Sequence, residues 1–311
     1  MSKVAFIFPG QGSQTVGMGK ALYDAFPEAK AVFDAADDAL GEKLSQRIFE
    51  GPEEALKLTA NTQPAILTVS AAAHAVFGPR TLNASFVAGH SLGEYSALVA
   101  AGAIELPDAV RAVRARGTFM QEAVPEGKGA MAAVIGLPPE QVKAICDEAA
   151  QGDVVSPANY NSPEQTVIAG SAAAVERASL KLKEAGAKRV LPLPVSAPFH
   201  CALMQPVVPR LAEVLEKITV SVPAVPVVTN VEAKANSEPN RVVPLLLEQV
   251  TASVRWVETV QYLQAQGVTR VVELGPGKVL CGLVKRISRD LECLNVEDPA
   301  SLDKALASLG G

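Results

Sequence analysis

The sequence has 311 residues, of which 49% are hydrophobic and 20% charged, a balance typical of a globular chain with a large core. Its net charge of −5 disfavours nucleic acid as a partner, because phosphate binding requires a basic surface. No stretch reaches the roughly 18 apolar residues of a membrane span, so we expect no membrane partner. The four cysteines show neither paired nor metal-ligand spacing, and we expect reduced thiols, no metal site and a cytoplasmic location.

Short β-rich runs alternate with helical patterns, which predicts an α/β fold with a mainly parallel sheet. The first strand is expected at 4–8, and a strand of small residues is expected at 85–88. The helix predicted at 63–77 is expected to begin at Thr62 or to have Pro64 in its first turn. Helices are predicted in this part of the chain at 21–39, 53–57, 63–77, 94–101 and 106–122.

From 128 to 196 the predicted order becomes β-α-β-β-α-β, which is typical of a ferredoxin-like domain. We therefore predict a small ferredoxin-like domain, 128–196, inserted into a large domain formed by 1–127 and 197–311. The large domain is expected to be α/β-hydrolase-like. Its remaining predicted elements are strands at 225–229 and 270–274 and a short helix from Leu302 onward.

Ser91 stands at the centre of the segment 89–93, which reads Gly-x-Ser-x-Gly between a strand and a helix. This pattern is the nucleophile elbow of serine enzymes. The flanking glycines, Gly89 and Gly93, leave room for close approach of strand and helix, and the helix N-terminus faces the developing oxyanion. The sequence therefore predicts a nucleophilic serine.

A serine nucleophile requires a base, and the chain has three histidines. His90 adjoins Ser91, so its side chain leaves the turn in another direction, and His74 lies in an alanine-rich helix. His200 lies where the inserted domain returns to the large one, and clefts form at such junctions. We therefore assign the base to His200. No carboxylate stands out to orient it, and a main-chain carbonyl would serve as well.

Arg116 lies at the edge of the apolar face of the helix 106–122, whereas Arg111 and Arg114 point elsewhere. A guanidinium drawn into the core requires an anionic partner. That partner is either an internal carboxylate or a carboxylate of the substrate, which arginine binds as a bidentate fork. Position along the helix does not decide between them.

The glycine turn at 10–14 does not fit a phosphate-binding loop. A Walker loop would require Gly where Gln14 stands and Ser or Thr where Ala21 stands, and a dinucleotide fingerprint would require Gly where Thr15 stands. The turn is better suited to offer a backbone N–H to an oxyanion. We expect no cofactor.

Taken together and in this order, the motifs resemble those of the malonyl-CoA:acyl carrier protein transacylases of fatty-acid synthesis. The resemblance runs the whole length of the chain, and the combination is far more specific than any single motif. The matching segments are 8–14 (FPGQGSQ), 89–98 (GHSLGEYSAL), 116–121 (RGxxMQ), 198–204 (PxHCxLM), 249–256 (QVxxxVRW) and 273–277 (ELGPG).

The resemblance implies a ping-pong transfer in which Ser91 attacks the thioester of malonyl-CoA and holds malonate as an ester. The phosphopantetheine thiol of acyl carrier protein then removes the malonyl group. His200 would act as base and then as acid, and the backbone N–H groups of Gln11 and Leu92 would form the oxyanion hole. The main-chain carbonyl near Gln249 would orient His200.

The resemblance also assigns a substrate-binding role to Arg116, Met120 and Phe199. Arg116 would bind the free carboxylate of malonate. Phe199 stands where Ser is common in related enzymes, and it should disfavour methylmalonyl by filling the space that an α-methyl group needs. The enzyme is expected to be a monomer.

Carrier proteins of this pathway are acidic, so a basic patch should bind them. The candidate side chains are Lys181, Lys183, Lys188 and Arg189, or Lys285, Arg286 and Arg289. Two other functions remain open. One is a serine thioesterase or other hydrolase that uses the same Ser91 and His200, and the other is a non-catalytic module that binds carrier protein.

Overall fold

The computed structural model describes residues 3–81, 84–195 and 197–310. The strands within these ranges are β1 (Lys3–Phe8), β2 (Phe86–Gly89), β3 (Gly129–Ile135), β4 (Val155–Ser162), β5 (Gln165–Ser171), β6 (Arg189–Pro192), β7 (Val227–Val228), β8 (Ala235–Asn236), β9 (Val268–Leu274) and β10 (Glu292–Val296). The helices are α1 (Lys20–Ala25), α2 (Pro27–Leu40), α3 (Leu44–Glu50), α4 (Glu53–Lys57), α5 (Thr59–Phe77), α6 (Gly93–Ala100), α7 (Leu106–Glu122), α8 (Pro139–Ala150), α9 (Ala172–Glu184), α10 (Val207–Leu215), α11 (Pro239–Gln249), α12 (Trp256–Ala265), α13 (Val279–Ile287) and α14 (Pro299–Leu309).

The strands form two sheets. The larger sheet has the order β10-β9-β1-β2-β7-β8, in which the pairs are parallel except for β7 with β8. Its strands alternate with helices along the chain, which confirms the α/β fold expected from the sequence. None of the helices in the described ranges is both long and apolar enough to span a bilayer.

The second sheet comes from one continuous part of the chain, β3 to β6, in the order β4-β5-β3-β6 with antiparallel pairing throughout. Helices α8 and α9 pack on it around a separate buried cluster that includes Val134, Val142 and Leu182. The register between β4 and β5 shifts twice, at Ala158 and at Asn161. At the first of these positions β4 contacts the segment before α12, where the Val254 N–H donates to the Ala158 carbonyl at 2.8 Å.

Parallel pairing of β1 with β2 brings two predicted segments of the site together. Phe8 pairs with Gly89, the last residue of each strand, so the turn that holds Gln11 and the elbow that holds Ser91 leave the same edge of the sheet. The His90 N–H donates to the Phe8 carbonyl at 3.0 Å and continues the pairing one residue beyond β2. Carboxyl ends of adjacent parallel strands are where α/β proteins place their binding sites.

Two predicted helices differ from the structure. The helix expected at 21–39 is interrupted, because Pro27 holds Phe26 in an extended conformation (φ −132°, ψ 121°) and begins α2. The helix expected to begin at Thr62 begins at Thr59 instead, so Pro64 lies inside α5 rather than in its first turn. Burial favours the longer helix: Pro64 and most of α5 are packed against other parts of the protein, which stabilises the helix on both sides of the proline.

The prediction that the cysteines are all reduced is wrong for one pair. Cys281 in α13 and Cys293 in β10 form a disulfide with their Cα atoms 5.4 Å apart. The spacing gave no sign of this pair, because β10 was not predicted and its position beside α13 depends on its pairing with β9. Cys146 and Cys201 are free and buried.

Candidate active site

Ser91 lies in a turn that only small neighbours allow. Its φ of 52° is in the left-handed region, which costs a non-glycine residue energy and is common at functional sites. A Cβ on Gly89 would lie 1.9 Å from the Gly93 carbonyl, and a Cβ on Gly93 would lie 2.1 Å from the Phe8 carbonyl oxygen. Both glycines are therefore required for β2, α6 and β1 to approach one another closely.

We expect Gly89→Ala to lower the free energy of unfolding by about 3 kcal/mol or more, because backbone atoms must move to admit the methyl group. Gly282 provides a matched control, since it lies in α13 and a Cβ there would meet nothing within 4 Å. Gly282→Ala should be neutral or stabilising by up to about 1 kcal/mol. Urea denaturation measures both variants, and equal stability of Gly89→Ala and wild type would contradict the close approach.

His200 lies against the serine. Its Nε2 is 2.7 Å from Ser91 Oγ, and its Nδ1 is 2.8 Å from the carbonyl oxygen of Gln249. A carbonyl only accepts, so Nδ1 carries the hydrogen and Nε2 is free to accept the serine proton. The other two histidines have different partners. His90 Nε2 is 2.8 Å from Asn161 Oδ1, and His74 contacts Phe6 and Phe8.

Burial keeps this imidazole neutral. His200 is 3% exposed. Burial, with the guanidinium of Arg116 as the second cause, lowers the pKa of His200 to about 3. At neutral pH the ring is therefore in the form that can accept a proton from Ser91.

The backbone of Gln11 lies beside the elbow. A Cβ on Gly10 would be 2.4 Å from the His90 carbonyl oxygen, so the turn after β1 is in direct contact with the residue before Ser91. Within the described ranges, neither the Gln11 N–H nor the Leu92 N–H donates to a protein acceptor. The Ser91 N–H, in contrast, donates to Asn230 Oδ1 at 2.7 Å.

Arg116 is buried, with 1% of its surface exposed, and it points at the serine. Its Nη2 is 3.2 Å from Ser91 Oγ and 2.9 Å from Gln249 Oε1, and its Nη1 donates to Gln63 Oε1 at 2.8 Å. Its Nε has no acceptor among the described residues. The positive charge is thus surrounded by neutral amide oxygens and lacks a carboxylate in direct contact within the described chain. Arg111, on the same helix, pairs with Asp108 at the surface.

Met120 and Phe199 both lie near these groups. Met120, 1% exposed, is one turn beyond Arg116 on α7, and its Sδ is 3.7 Å from Gln63 Nε2. Phe199 directly precedes His200 and is 9% exposed. Gly117 brings α7 close enough to α5 for these contacts, since a Cβ there would lie 2.5 Å from the Thr59 carbonyl oxygen.

The sequence analysis missed three polar residues that hold the site together: Gln63, Glu94 and Asn230. Asn230 joins the loop after β7 to the elbow, because its Nδ2 donates to the Gly89 carbonyl at 2.6 Å and its Oδ1 accepts from the Ser91 N–H. Glu94 is 2% exposed and accepts from Gln249 Nε2 at 2.7 Å. Glu94 carried a sequence signal, since it is the one charged residue of an otherwise apolar or small helix, α6.

This arrangement can perform acyl transfer. A neutral imidazole can deprotonate the serine, two backbone N–H groups are available for an oxyanion, and a buried guanidinium adjoins the nucleophile. The described residues contain no group of three or more His, Cys, Asp or Glu side chains placed to hold a metal ion. The chemistry that the site displays is therefore that of a serine nucleophile acting on an acyl group that carries an anion.

Comparisons with known proteins agree with this chemistry. The sequence model of the acyl transferase domain family matches residues 5–302 of this chain. The malonyl CoA-acyl carrier protein transacylase of Bacillus subtilis is 51% identical over 310 residues, which cover 99% of this chain and 98% of that protein. That of Escherichia coli is 51% identical over 307 residues, which cover 98% and 99%.

Solved structures agree as well. An acyl carrier protein S-malonyltransferase from Vibrio cholerae superposes with a TM-score of 0.96 at 49% identity, covering 98% of this chain and 100% of that one. A malonyl-transacylase solved in complex with a type II polyketide synthase acyl-carrier protein gives a TM-score of 0.96 at 50% identity, covering 99% and 100%.

Proposed function

Because the chain belongs to the acyl transferase domain family, we propose that it transfers malonyl from malonyl-CoA to the phosphopantetheine thiol of acyl carrier protein, for fatty-acid synthesis. One observation carries the proposal. Ser91 Oγ lies within hydrogen-bond distance of both the His200 imidazole, at 2.7 Å, and the Arg116 guanidinium, at 3.2 Å. The first group activates the serine and the second binds the free carboxylate of the acyl group.

The transfer proceeds in two halves. In the first, Ser91 Oγ attacks the thioester carbon while His200 Nε2 takes the serine proton, and the N–H groups of Gln11 and Leu92 bind the oxyanion. Collapse breaks the C–S bond, and the imidazolium gives its proton to the departing CoA sulfur. In the second half, the carrier thiol gives its proton to His200 and attacks the malonyl ester, and Ser91 Oγ recovers the proton as the ester bond breaks.

The Gln249 carbonyl orients His200 through Nδ1, in place of the aspartate of a Ser-His-Asp triad. The hydrogen bond of 2.8 Å supports this role, as does the burial of Gln249, which is 0% exposed. A neutral carbonyl stabilises the imidazolium less than a carboxylate would.

Arg116, Met120 and Phe199 select the acyl group. The unpartnered Nε of Arg116, together with the Nη2 hydrogen that otherwise contacts Ser91 Oγ, offers the fork that a carboxylate binds in bidentate fashion. Met120 and Phe199 are nearly buried and apolar, and we propose that they close the space around the malonyl methylene. Phe199 disfavours an α-methyl group for the same reason.

We also propose the division into a large α/β-hydrolase-like domain, 1–127 and 197–311, and an inserted ferredoxin-like domain, 128–196. The strand-elbow-helix arrangement at Ser91 supports the first description. The antiparallel order β4-β5-β3-β6 with two helices and its own buried cluster supports the second. A cytoplasmic location and a monomeric state stay predictions.

For the acidic carrier protein we propose the basic side chains of α13 and the loop after it. Lys285, Arg286 and Arg289 line an open cavity of about 1350 Å³ between α13 and the β4–β5 turn. Of the alternative set, Lys181 and Lys188 are already paired, with Glu148 and Glu164. Lys285, Arg286 and Arg289 have no ion pair among the described residues and lie around one cavity, so all three are available together to an acidic partner.

Intact-protein mass spectrometry tests the proposed function. Brief incubation with malonyl-CoA should add a malonyl group to wild type and to Ser96→Ala but not to Ser91→Ala. Ser96 is the matched control, since it is a buried serine on α6 whose Oγ has no hydrogen-bond partner among the described residues. Addition of holo carrier protein should discharge the adduct and malonylate the carrier.

Two outcomes would replace the proposal. An adduct that water removes as fast as carrier protein does would indicate a hydrolase. Absence of an adduct on wild type, combined with retained binding of carrier protein, would indicate a non-catalytic module.

A further inference from the structure

Glu94 is a buried carboxylate that the two-step mechanism above does not use. It lies in the first turn of α6, three residues after Ser91 and 2% exposed. A carboxylate near a helix N-terminus can simply complement the helix dipole. Glu94 does more than this, because its hydrogen-bond donors come from other elements. Its Oε2 accepts from Gln249 Nε2 at 2.7 Å and from the Asn230 N–H at 3.0 Å.

The side-chain amide of Gln249 lies between two unlike groups. Its Nε2 donates to Glu94 and to the Ser91 carbonyl at 3.1 Å, and its Oε1 accepts from Arg116 Nη2 at 2.9 Å. A carboxylate only accepts and a guanidinium only donates. Glu94, which makes the shorter of the two contacts with Nε2, therefore fixes together with the Ser91 carbonyl which end of the amide faces Arg116. With the amide reversed, NH₂ would face a guanidinium that also only donates.

Gln249 contacts two functional side chains of the site. Its side chain holds Arg116 beside Ser91 Oγ, and its main-chain carbonyl accepts from His200 Nδ1. The carbonyl contact depends on the backbone at the end of α11, whereas the Arg116 contact depends on the orientation of the amide. Loss of Glu94 should therefore affect Arg116 more than His200.

We infer that Glu94 is a positioning residue for acyl selection: through the Gln249 amide it holds the Arg116 guanidinium at the carboxylate of the acyl group. This inference rests on the proposed malonyl transfer and deepens it. Burial raises the pKa of Glu94 to about 7, opposed by the Gln249 and Asn230 hydrogen bonds. An acceptor oxygen at the Oε2 position is what the geometry requires in either protonation state.

The test compares kcat/KM for malonyl-CoA and acetyl-CoA, with holo carrier protein as acceptor, in Glu94→Met and Glu94→Gln. Met matches the length of Glu without a carboxylate, and we expect it to lower the malonyl-to-acetyl ratio about tenfold or more. Gln presents one oxygen, and both donors meet at a single oxygen in wild type. Glu94→Gln should therefore keep the ratio within about threefold of wild type.

A double variant tests the route through Gln249. If Glu94 acts by way of that amide, Glu94→Met should lower the ratio no further in a Gln249→Leu background. Additive losses would overturn the inference. So would an equal loss of malonyl and acetyl transfer in Glu94→Met, or a Glu94→Gln variant as impaired as Glu94→Met.

Thermal unfolding identifies a variant that does not fold. If Glu94→Met is such a variant, Glu94→Ala is measured with the same expectation. The wild type in the same assay reports on the proposed function by itself. Absence of malonyl transfer by wild type is a failure of that function, whereas an unchanged ratio in folded Glu94 variants is a failure of the present inference.

Discussion

Arg116→Ala is expected to lower kcat/KM for malonyl transfer by a factor on the order of 10³, while acetyl transfer falls by about tenfold or less. The guanidinium is buried, lacks a carboxylate contact within the described chain and lies 3.2 Å from the nucleophile. A malonyl carboxylate supplies the missing direct contact, and acetyl has none to offer. Steady-state transfer from malonyl-CoA and acetyl-CoA measures the difference.

Arg111→Ala is the matched control, since Arg111 lies on the same helix but pairs with Asp108 at the surface. It should transfer both groups at wild-type rates. Arg116→Lys should be intermediate for malonyl, because an ammonium keeps the charge but cannot form the planar fork. Equal losses for malonyl and acetyl in Arg116→Ala would contradict the proposed role.

His200→Ala is expected to slow acylation of Ser91 by a factor of about 10²–10⁴, the usual contribution of a general base. Stopped-flow release of CoA from malonyl-CoA measures this step. His74→Gln is the control, because His74 contacts Phe6 and Phe8 and lies away from Ser91. It should acylate at nearly the wild-type rate. A His200→Ala variant within about tenfold of wild type would remove His200 as the base.

The pH dependence of acylation and of the His200 contribution to stability follows from the burial of His200. The pKa of His200 falls from 6.5 to about 3, so the base stays neutral well below the pH at which an exposed histidine protonates. Acylation should therefore show no decline from His200 between about pH 8 and 5. The contribution of His200 to the free energy of unfolding should fall as pH drops below 6.5, because the unfolded chain then takes up a proton that folded His200 does not bind until near pH 3. Glu94 and Glu273, whose pKa values burial raises to about 7, contribute with the opposite sign in this range.

The sequence predicted the parts of the site that depend on local pattern. Ser91 was predicted because the elbow requires glycines on both sides. Helical periodicity placed Arg116 beside an apolar face, although its role at a substrate carboxylate was assigned only by the family resemblance. His200 was found by elimination among three histidines. Each of these inferences uses a few consecutive residues or a count.

The residues that hold Ser91 and Arg116 in place could not be predicted from local sequence patterns. Asn230 reaches Ser91 because β7 pairs with β2, a contact between segments 139 residues apart. Gln63 meets Arg116 because Gly117 allows α7 to approach α5. An isolated Asn or Gln has no periodicity of its own, so its partner is known only once the sheet order and helix contacts are known.

The two register shifts in β4 limit how this fold can vary in length. Ala158 and Asn161 are the positions where β4 leaves its pairing with β5, and both contact the other half of the molecule, Ala158 at Val254 and Asn161 at His90. Successive strand residues point to opposite faces, so inserting or deleting one residue here would turn Asn161 away from His90. Substitutions at Ser156 and Tyr160, the two half-buried residues of β4, leave this spacing intact. The stretch from Ala158 to Asn161 therefore cannot change in length.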